Sequence, residues 1–150
     1  VAGVAGSAGL VVLIVEGDPV QRMAAASARG DAGMRVLEAA TVEAATSALD
    51  AHPDLRVMVA DIDLVGEPLT GLTLAKAAAA RWPDVSMLMV SGIIEPEQEA
   101  MPQGARFLRK PFEAETLVGA VRALAAARAS GRLEPDGSGV TEQIASADSR

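Results

Sequence analysis

The sequence predicts a doubly wound α/β domain built on a five-stranded parallel sheet. Three observations carry that expectation. Five short runs of Val, Leu, Ile and Met alternate with five helical patterns over about 120 residues. The first run, residues 10–15, is apolar at every position, the pattern of a strand covered on both faces. Cap and stop residues separate the runs as strand, crossover helix and next strand require.

The elements follow in order. After the strand at residues 10–15, Asp18-Pro19 supplies a helix N-cap and a first helical position that needs no amide donor. Val20, Met23 and Ala24 are expected to form the apolar face of that helix, with Gly30 and Gly33 stopping it. Residues 34–39 read as the second strand; Thr41 then caps a helix carrying Val42, Ala45 and Leu49, ended at Pro53. Residues 55–60 form the third strand, and an acid-rich loop spans residues 61–70. The helix over residues 71–82 carries Leu74, Ala75, Ala78 and Trp82 on one face and stops at Pro83. Residues 85–90 form the fourth strand, ending in Ser91-Gly92. Residues 93–104, with Pro96, Pro102 and three Glu residues, make the weakest helix. The fifth strand, residues 105–109, ends at Lys110-Pro111, and a last helix over residues 113–128 buries Leu117, Val121 and Leu124. Residues 1–9 are expected to be a flexible end, because their glycines precede the first strand instead of following it as a phosphate loop would. Residues 130–150 are Ser/Gly/Asp-rich and read as a linker or disordered tail, leaving residues 10–129 as the domain.

Composition narrows the function. Ala makes up 31 of the 150 residues and only Trp82, Phe107 and Phe112 are aromatic, so helices are expected to pack closely through small faces. A net charge of -7 repels phosphate backbones and anionic lipid, which disfavours a direct nucleic-acid partner. The absence of Cys excludes disulfides, thiolate zinc sites and Cys nucleophiles. His52, the one imidazole, rules out a multi-histidine metal site and is expected to end the second helix. No run is long enough to cross a bilayer and none resembles a secretion signal, so no membrane association and a cytoplasmic address are expected. A start at Val1 is expected of a processed chain or of a piece of a longer one.

In a doubly wound sheet, chemistry sits beyond the carboxyl ends of the strands. There the sequence offers Glu16 and Asp18 after strand one, Asp61 and Asp63 after strand three, Ser91 after strand four and Lys110 after strand five. Strand two ends in Ala39 and Ala40 and offers nothing, as an edge strand would. Clustered carboxylates invite a hard divalent cation, and a hydroxyl with an ammonium suits phosphoryl oxygens, so Mg2+ with a phosphoryl group is the economical reading. Taken singly, Asp61 also reads as a loop acid, Ser91 as a turn hydroxyl and Lys110 as a solvated cation.

Four segments, Leu13-Ile14-Val15-Glu16-Gly17-Asp18-Pro19, Val59-Ala60-Asp61-Ile62-Asp63-Leu64-Val65-Gly66, Met89-Val90-Ser91-Gly92 and Gly104-Ala105-Arg106-Phe107-Leu108-Arg109-Lys110-Pro111-Phe112, resemble the receiver domain of bacterial two-component response regulators. The resemblance implies a flavodoxin-like, CheY-like fold with strand order 2-1-3-4-5. It implies that Asp61 accepts a phosphoryl group from a sensor histidine kinase or phosphotransfer protein. Enzymatic activity would be limited to self-phosphorylation and slow self-dephosphorylation at Asp61. Mg2+ would be held by Glu16, Asp18, Asp61 and Asp63, the last through its backbone carbonyl. Ser91 and Lys110 would contact phosphoryl oxygens, and Ser91 with Phe107 would act as the switch. A downstream protein or a second copy would then read the face of helix four, strand five and helix five.

The chain departs from the family pattern at Gly17, where the second of two adjacent acids usually stands, which implies weak Mg2+ binding. Val65 replaces a common Pro, and Glu67-Pro68-Leu69-Thr70 lengthens the next loop. A receiver-shaped interaction module that works without phosphate is the alternative. A more remote one is a haloacid-dehalogenase-like phosphatase, suggested by Asp61-Ile62-Asp63 but lacking a later acidic pair.

Overall fold

The computed structural model describes residues 9–27, 33–64, 67, 69–93 and 95–129. Residues 1–8 and 130–150, and with them the expected flexible end and tail, lie outside the described residues, as do Gly30, Val65, Gly66 and Pro68. The elements run β1 (Val11–Val15), α1 (Pro19–Ser27), β2 (Arg35–Ala39), α2 (Val42–Ala51), β3 (Leu55–Asp61), α3 (Thr70–Arg81), β4 (Ser86–Ser91), a 3-10 turn (Gln98–Ala100), β5 (Arg106–Arg109) and α4 (Ala114–Ala129). The sheet is parallel throughout, in the order β2-β1-β3-β4-β5.

Alternation along each strand divides the core in two. On one face Val11, Leu13, Val15, Met58, Ala60, Met87 and Met89 pack with Ala45 and Leu49 of α2 and Leu72, Leu74, Ala75 and Ala78 of α3. On the other, Val12, Ile14, Val57, Val59, Leu88, Val90 and Leu108 pack with Leu117, Ala120, Val121 and Leu124 of α4. Both faces are covered, so every residue of β1 is buried and its apolar run is explained. The caps are as expected: Thr41 Oγ1 accepts the Ala44 N–H at 3.1 Å, and His52 ends α2 with its N–H on the Ala48 carbonyl.

Two expectations are corrected. Between β4 and β5 the described residues form one 3-10 turn where a helix over residues 93–104 was expected; Pro96 and Pro102 each lack the N–H that an α-helix would use there. In α1 the faces are exchanged. Val20 and Met23 are 74% and 70% exposed, Ala24 is exposed too, and the buried residue is Ala26. The phase is set by Arg22, whose Nη1 donates to the Glu16 carbonyl at 2.9 Å and so turns positions 22, 25 and 26 inward at helical spacing. Since that inner face offers Ala where larger side chains would fill the space, a cleft of about 410 Å³ remains between α1 and α4, above Ile14, Val59 and Val90.

Candidate functional site

Parallel pairing brings the chemical groups together. Asp61, the last residue of β3, pairs in register with Val90, and Ser91 follows one step later at the end of β4. Ser91 pairs with Arg109, the last residue of β5, so Lys110 comes next in the chain and its N–H donates to the Ser91 carbonyl at 2.9 Å. On the other side of Asp61, Glu16 directly follows β1, and its N–H reaches the Ala39 carbonyl of β2. The Lys110–Pro111 peptide that leaves this edge is cis.

The Lys110 ammonium is the hub. Nζ donates to Glu16 Oε1 at 2.6 Å, to Gln21 Oε1 at 2.6 Å and to Asp61 Oδ2 at 3.1 Å. Burial disfavours its charge, but hydrogen bonds to Glu16 and Asp61 and their negative charges outweigh that, so its pKa lies above the ordinary lysine value. The other Asp61 oxygen, Oδ1, accepts the Asp63 N–H at 3.2 Å. The Ser91 hydroxyl oxygen accepts the Ile93 N–H at 3.1 Å, folding the loop after β4 over the strand end.

Gly71, in the first turn of α3, closes the site from below. Its N–H donates to the Ile62 carbonyl at 2.7 Å, and a Cβ at this position would lie 1.7 Å from the Asp61 carbonyl oxygen. Only glycine allows the helix to approach so near the strand end that holds Asp61.

The remaining acids point elsewhere. Asp18 Oδ1 accepts the N–H groups of Val20 at 2.8 Å and Gln21 at 3.2 Å, which caps α1 and holds its carboxyl below the usual carboxylate range. Asp63 Oδ1 accepts the Leu69 N–H at 2.7 Å, which steadies Leu69 in a left-handed conformation (φ 64°) before α3. Among the described residues no group of three or more acids or histidines is placed to hold a metal. Two carboxylates do converge, Glu16 and Asp61, both on Lys110. Mg2+ is commonly held by one or two carboxylates with waters, so this donor set fits a weakly held ion and not a protein cage.

Phe107 lies on β5 and packs half-buried against the core; the Arg109 guanidinium sits 5.9 Å from its ring centre and pairs with Glu95 at 2.7 Å. The structure thus brings Glu16, Asp61 and Lys110 into direct contact, sets Ser91 beside Lys110 through the backbone, and turns the side chains of Asp18 and Asp63 to helix and loop amides. Sequence reasoning missed Gln21 and Arg22. The available signal was their position three and four residues after a capping Asp, on the first turn of a helix that starts at the strand ends.

The response regulator receiver domain family matches residues 12–122. The chain is similar to the crystallised receiver domain of NtrX from Brucella abortus, at 28% identity and a TM-score of 0.68, covering 77% of this chain and 98% of that one. It resembles the receiver domain of the hybrid histidine kinase CckA at 27% identity and a TM-score of 0.65, again covering 77% and 98%. Against a longer NtrX chain from Brucella abortus the identity is 27%, the TM-score 0.73 and the coverage 83% of this chain, which spans only 28% of that one. No curated protein sequence matches the chain. Among the described residues no helix is long and apolar enough to cross a membrane. With most of its length matched by the family and its parallel sheet in the order 2-1-3-4-5, the chain belongs to the receiver domains of two-component response regulators.

Proposed function

We propose that Asp61 is the phosphoacceptor of this receiver and that the phosphoryl group comes from a histidine kinase or phosphotransfer protein. The observation that carries the reading is Lys110 Nζ 3.1 Å from Asp61 Oδ2, with Ser91 at the neighbouring strand end. A carboxylate oxygen of Asp61 attacks phosphorus in line, the P–N bond of the donor phosphohistidine breaks, and the imidazole leaves carrying a proton. The product is an acyl phosphate on Asp61. Lys110 donates to one phosphoryl oxygen, and the Ser91 hydroxyl, turning from its role as acceptor of the Ile93 N–H, donates to another. Mg2+, when bound, supplies charge neutralisation at Asp61 and Glu16, with the Asp63 carbonyl as a further donor. Withdrawing Ser91 from Ile93 frees the loop after β4, and the half-buried Phe107 responds to the space this leaves. The surface that reads out the change comprises the segment with the 3-10 turn, β5 and α4.

The test is beryllofluoride with Mg2+ followed by NMR. The expected result is shifts at Ser91, Ile93 and Phe107 that Asp61→Asn abolishes; no response at millimolar Mg2+ overturns the reading. A second reading, an interaction module that works without phosphate, is favoured by Gly17 and by the lack of a third metal-placed acid among the described residues. It predicts that Asp61→Asn leaves partner binding unchanged.

A further inference from the structure

We propose that Gln21 is a positioning residue of this site: together with Glu16 it clamps the Lys110 ammonium so that its third N–H is aimed at Asp61 and at the phosphoryl group that Asp61 accepts. The inference deepens the reading above and rests on it.

A lysine ammonium has three donors and no acceptor, and here three acceptors meet it. The two short contacts, both 2.6 Å, come from Glu16 and Gln21, and the longer one, 3.1 Å, from Asp61. The clamp therefore lies on the β1–α1 side and the exchangeable contact on the Asp61 side. When Asp61 becomes an acyl phosphate it loses its carboxylate charge, and the phosphoryl oxygens become the stronger acceptors for the N–H that faces them. Two fixed contacts keep the ammonium in place through that exchange.

The orientation of the Gln21 amide is fixed by its surroundings. Its backbone N–H donates to Asp18 Oδ1 at 3.2 Å and Nε2 lies 3.5 Å from Asp18 Oδ2, so the amide nitrogen faces a carboxylate and the oxygen faces the ammonium. The reversed amide would put oxygen against carboxylate and N–H against ammonium, two repulsive pairs. Asp18 thus acts on Lys110 through Gln21. Gln21 also adds an acceptor without adding charge. Glu16, Asp61 and Lys110 together carry a net -1; a carboxylate in place of Gln21 would raise this to -2 and oppose an incoming phosphoryl group. Gly17 brings no side chain to the strand end, and Gln21, one turn into α1, is the residue that reaches Lys110 instead.

The test uses the whole chain with beryllofluoride and Mg2+ as the phosphoryl probe. It reads the probe's Kd, the ε-ammonium NMR signal of Lys110 and the thermal midpoint of wild type, Gln21→Leu and Gln21→Glu. Gln21 is exposed, so neither substitution disturbs the core. Gln21→Leu is expected to weaken probe binding about ten-fold, the scale of one hydrogen bond to a charged group, with an unchanged midpoint. It is also expected to lose the Lys110 signal to exchange with water, while Gln21→Glu, which keeps the acceptor, retains it. If wild type responds to the probe and Gln21→Leu binds it equally and keeps the Lys110 signal, the clamp is overturned and the phosphoacceptor reading stands. If wild type ignores the probe, both fall.

Discussion

Lys110 and Asp61 are 49 residues apart in sequence, yet Nζ of the first lies 3.1 Å from Oδ2 of the second. Two parallel strand pairings, β3 with β4 and β4 with β5, bring them to one rim. The contact is asymmetric in what it stabilises. The side chains of Glu16 and Asp61 are only 9% and 15% exposed, and Lys110 is the cation that makes both carboxylates tolerable there.

Removing the cation should therefore cost more than removing one acid. Lys110→Met leaves two neighbouring, poorly solvated carboxylates and is expected to cost about 1–3 kcal/mol of folding stability. Asp61→Asn takes the cluster from a net -1 to neutral and keeps an acceptor for Lys110, so stability should stay within about 0.5 kcal/mol of wild type or rise. Urea denaturation of both variants checks this. Equal losses for the two would contradict the geometry.

Gly71→Ala is expected to be strongly destabilising. The added carbon would lie 1.7 Å from the Asp61 carbonyl oxygen, a backbone atom with no rotamer to yield. Helix α3 or the end of β3 must shift, at a cost of at least about 2 kcal/mol, and amide shifts should concentrate at Asp61 and Ile62. A stable variant with an unmoved strand end would refute the close approach.

The strands were legible in the sequence because a sheet covered on both faces needs unbroken apolar runs, and β1 is one. Asp61, Ser91 and Lys110 were legible because parallel strands carry their carboxyl ends to one edge whatever the loops do. The phase of α1 was not. Val20, Met23 and Ala24 make as plausible an apolar face on paper as Ala25 and Ala26, and the choice fell to Arg22, whose hydrogen bond to the Glu16 carbonyl exists only in three dimensions. Gln21 was missed for the same reason, since a polar residue on a helix reads as solvent-facing until its tertiary partner is known. Asp18 carried two meanings in the sequence, helix cap and pocket acid, and its carboxylate caps the helix.

That cap should be visible in acid. The N–H groups of Gln21 and Val20 hold the Asp18 pKa below its ordinary value of 3.8. A depressed folded-state pKa means a stabilising contribution that is complete above the unfolded value and is lost as the pH falls through the folded one. Asp18→Asn preserves a good capping side chain but does not titrate there. The thermal midpoint of wild type minus that of Asp18→Asn is therefore expected to be constant from neutral pH down to about 5 and to fall below about 4. A difference that stays flat to the most acidic folded condition would contradict the assignment.

Ala25 is half-buried and lines the cleft of about 410 Å³ between α1 and α4 together with Phe112 and Leu117. A larger apolar side chain at position 25 enters space already present, so the usual overpacking penalty does not arise. Ala25→Leu is expected to stabilise the domain by about 1 kcal/mol, the scale of burying the added carbons, and to raise the thermal midpoint by about 3 °C. The same change at Ala26, which is 4% exposed and already in contact with its surroundings, should destabilise instead. Opposite signs at adjacent alanines would establish the phase of α1 by thermodynamics alone, because a helix turned to bury Val20 and Met23 would expose position 25 and make both substitutions nearly neutral.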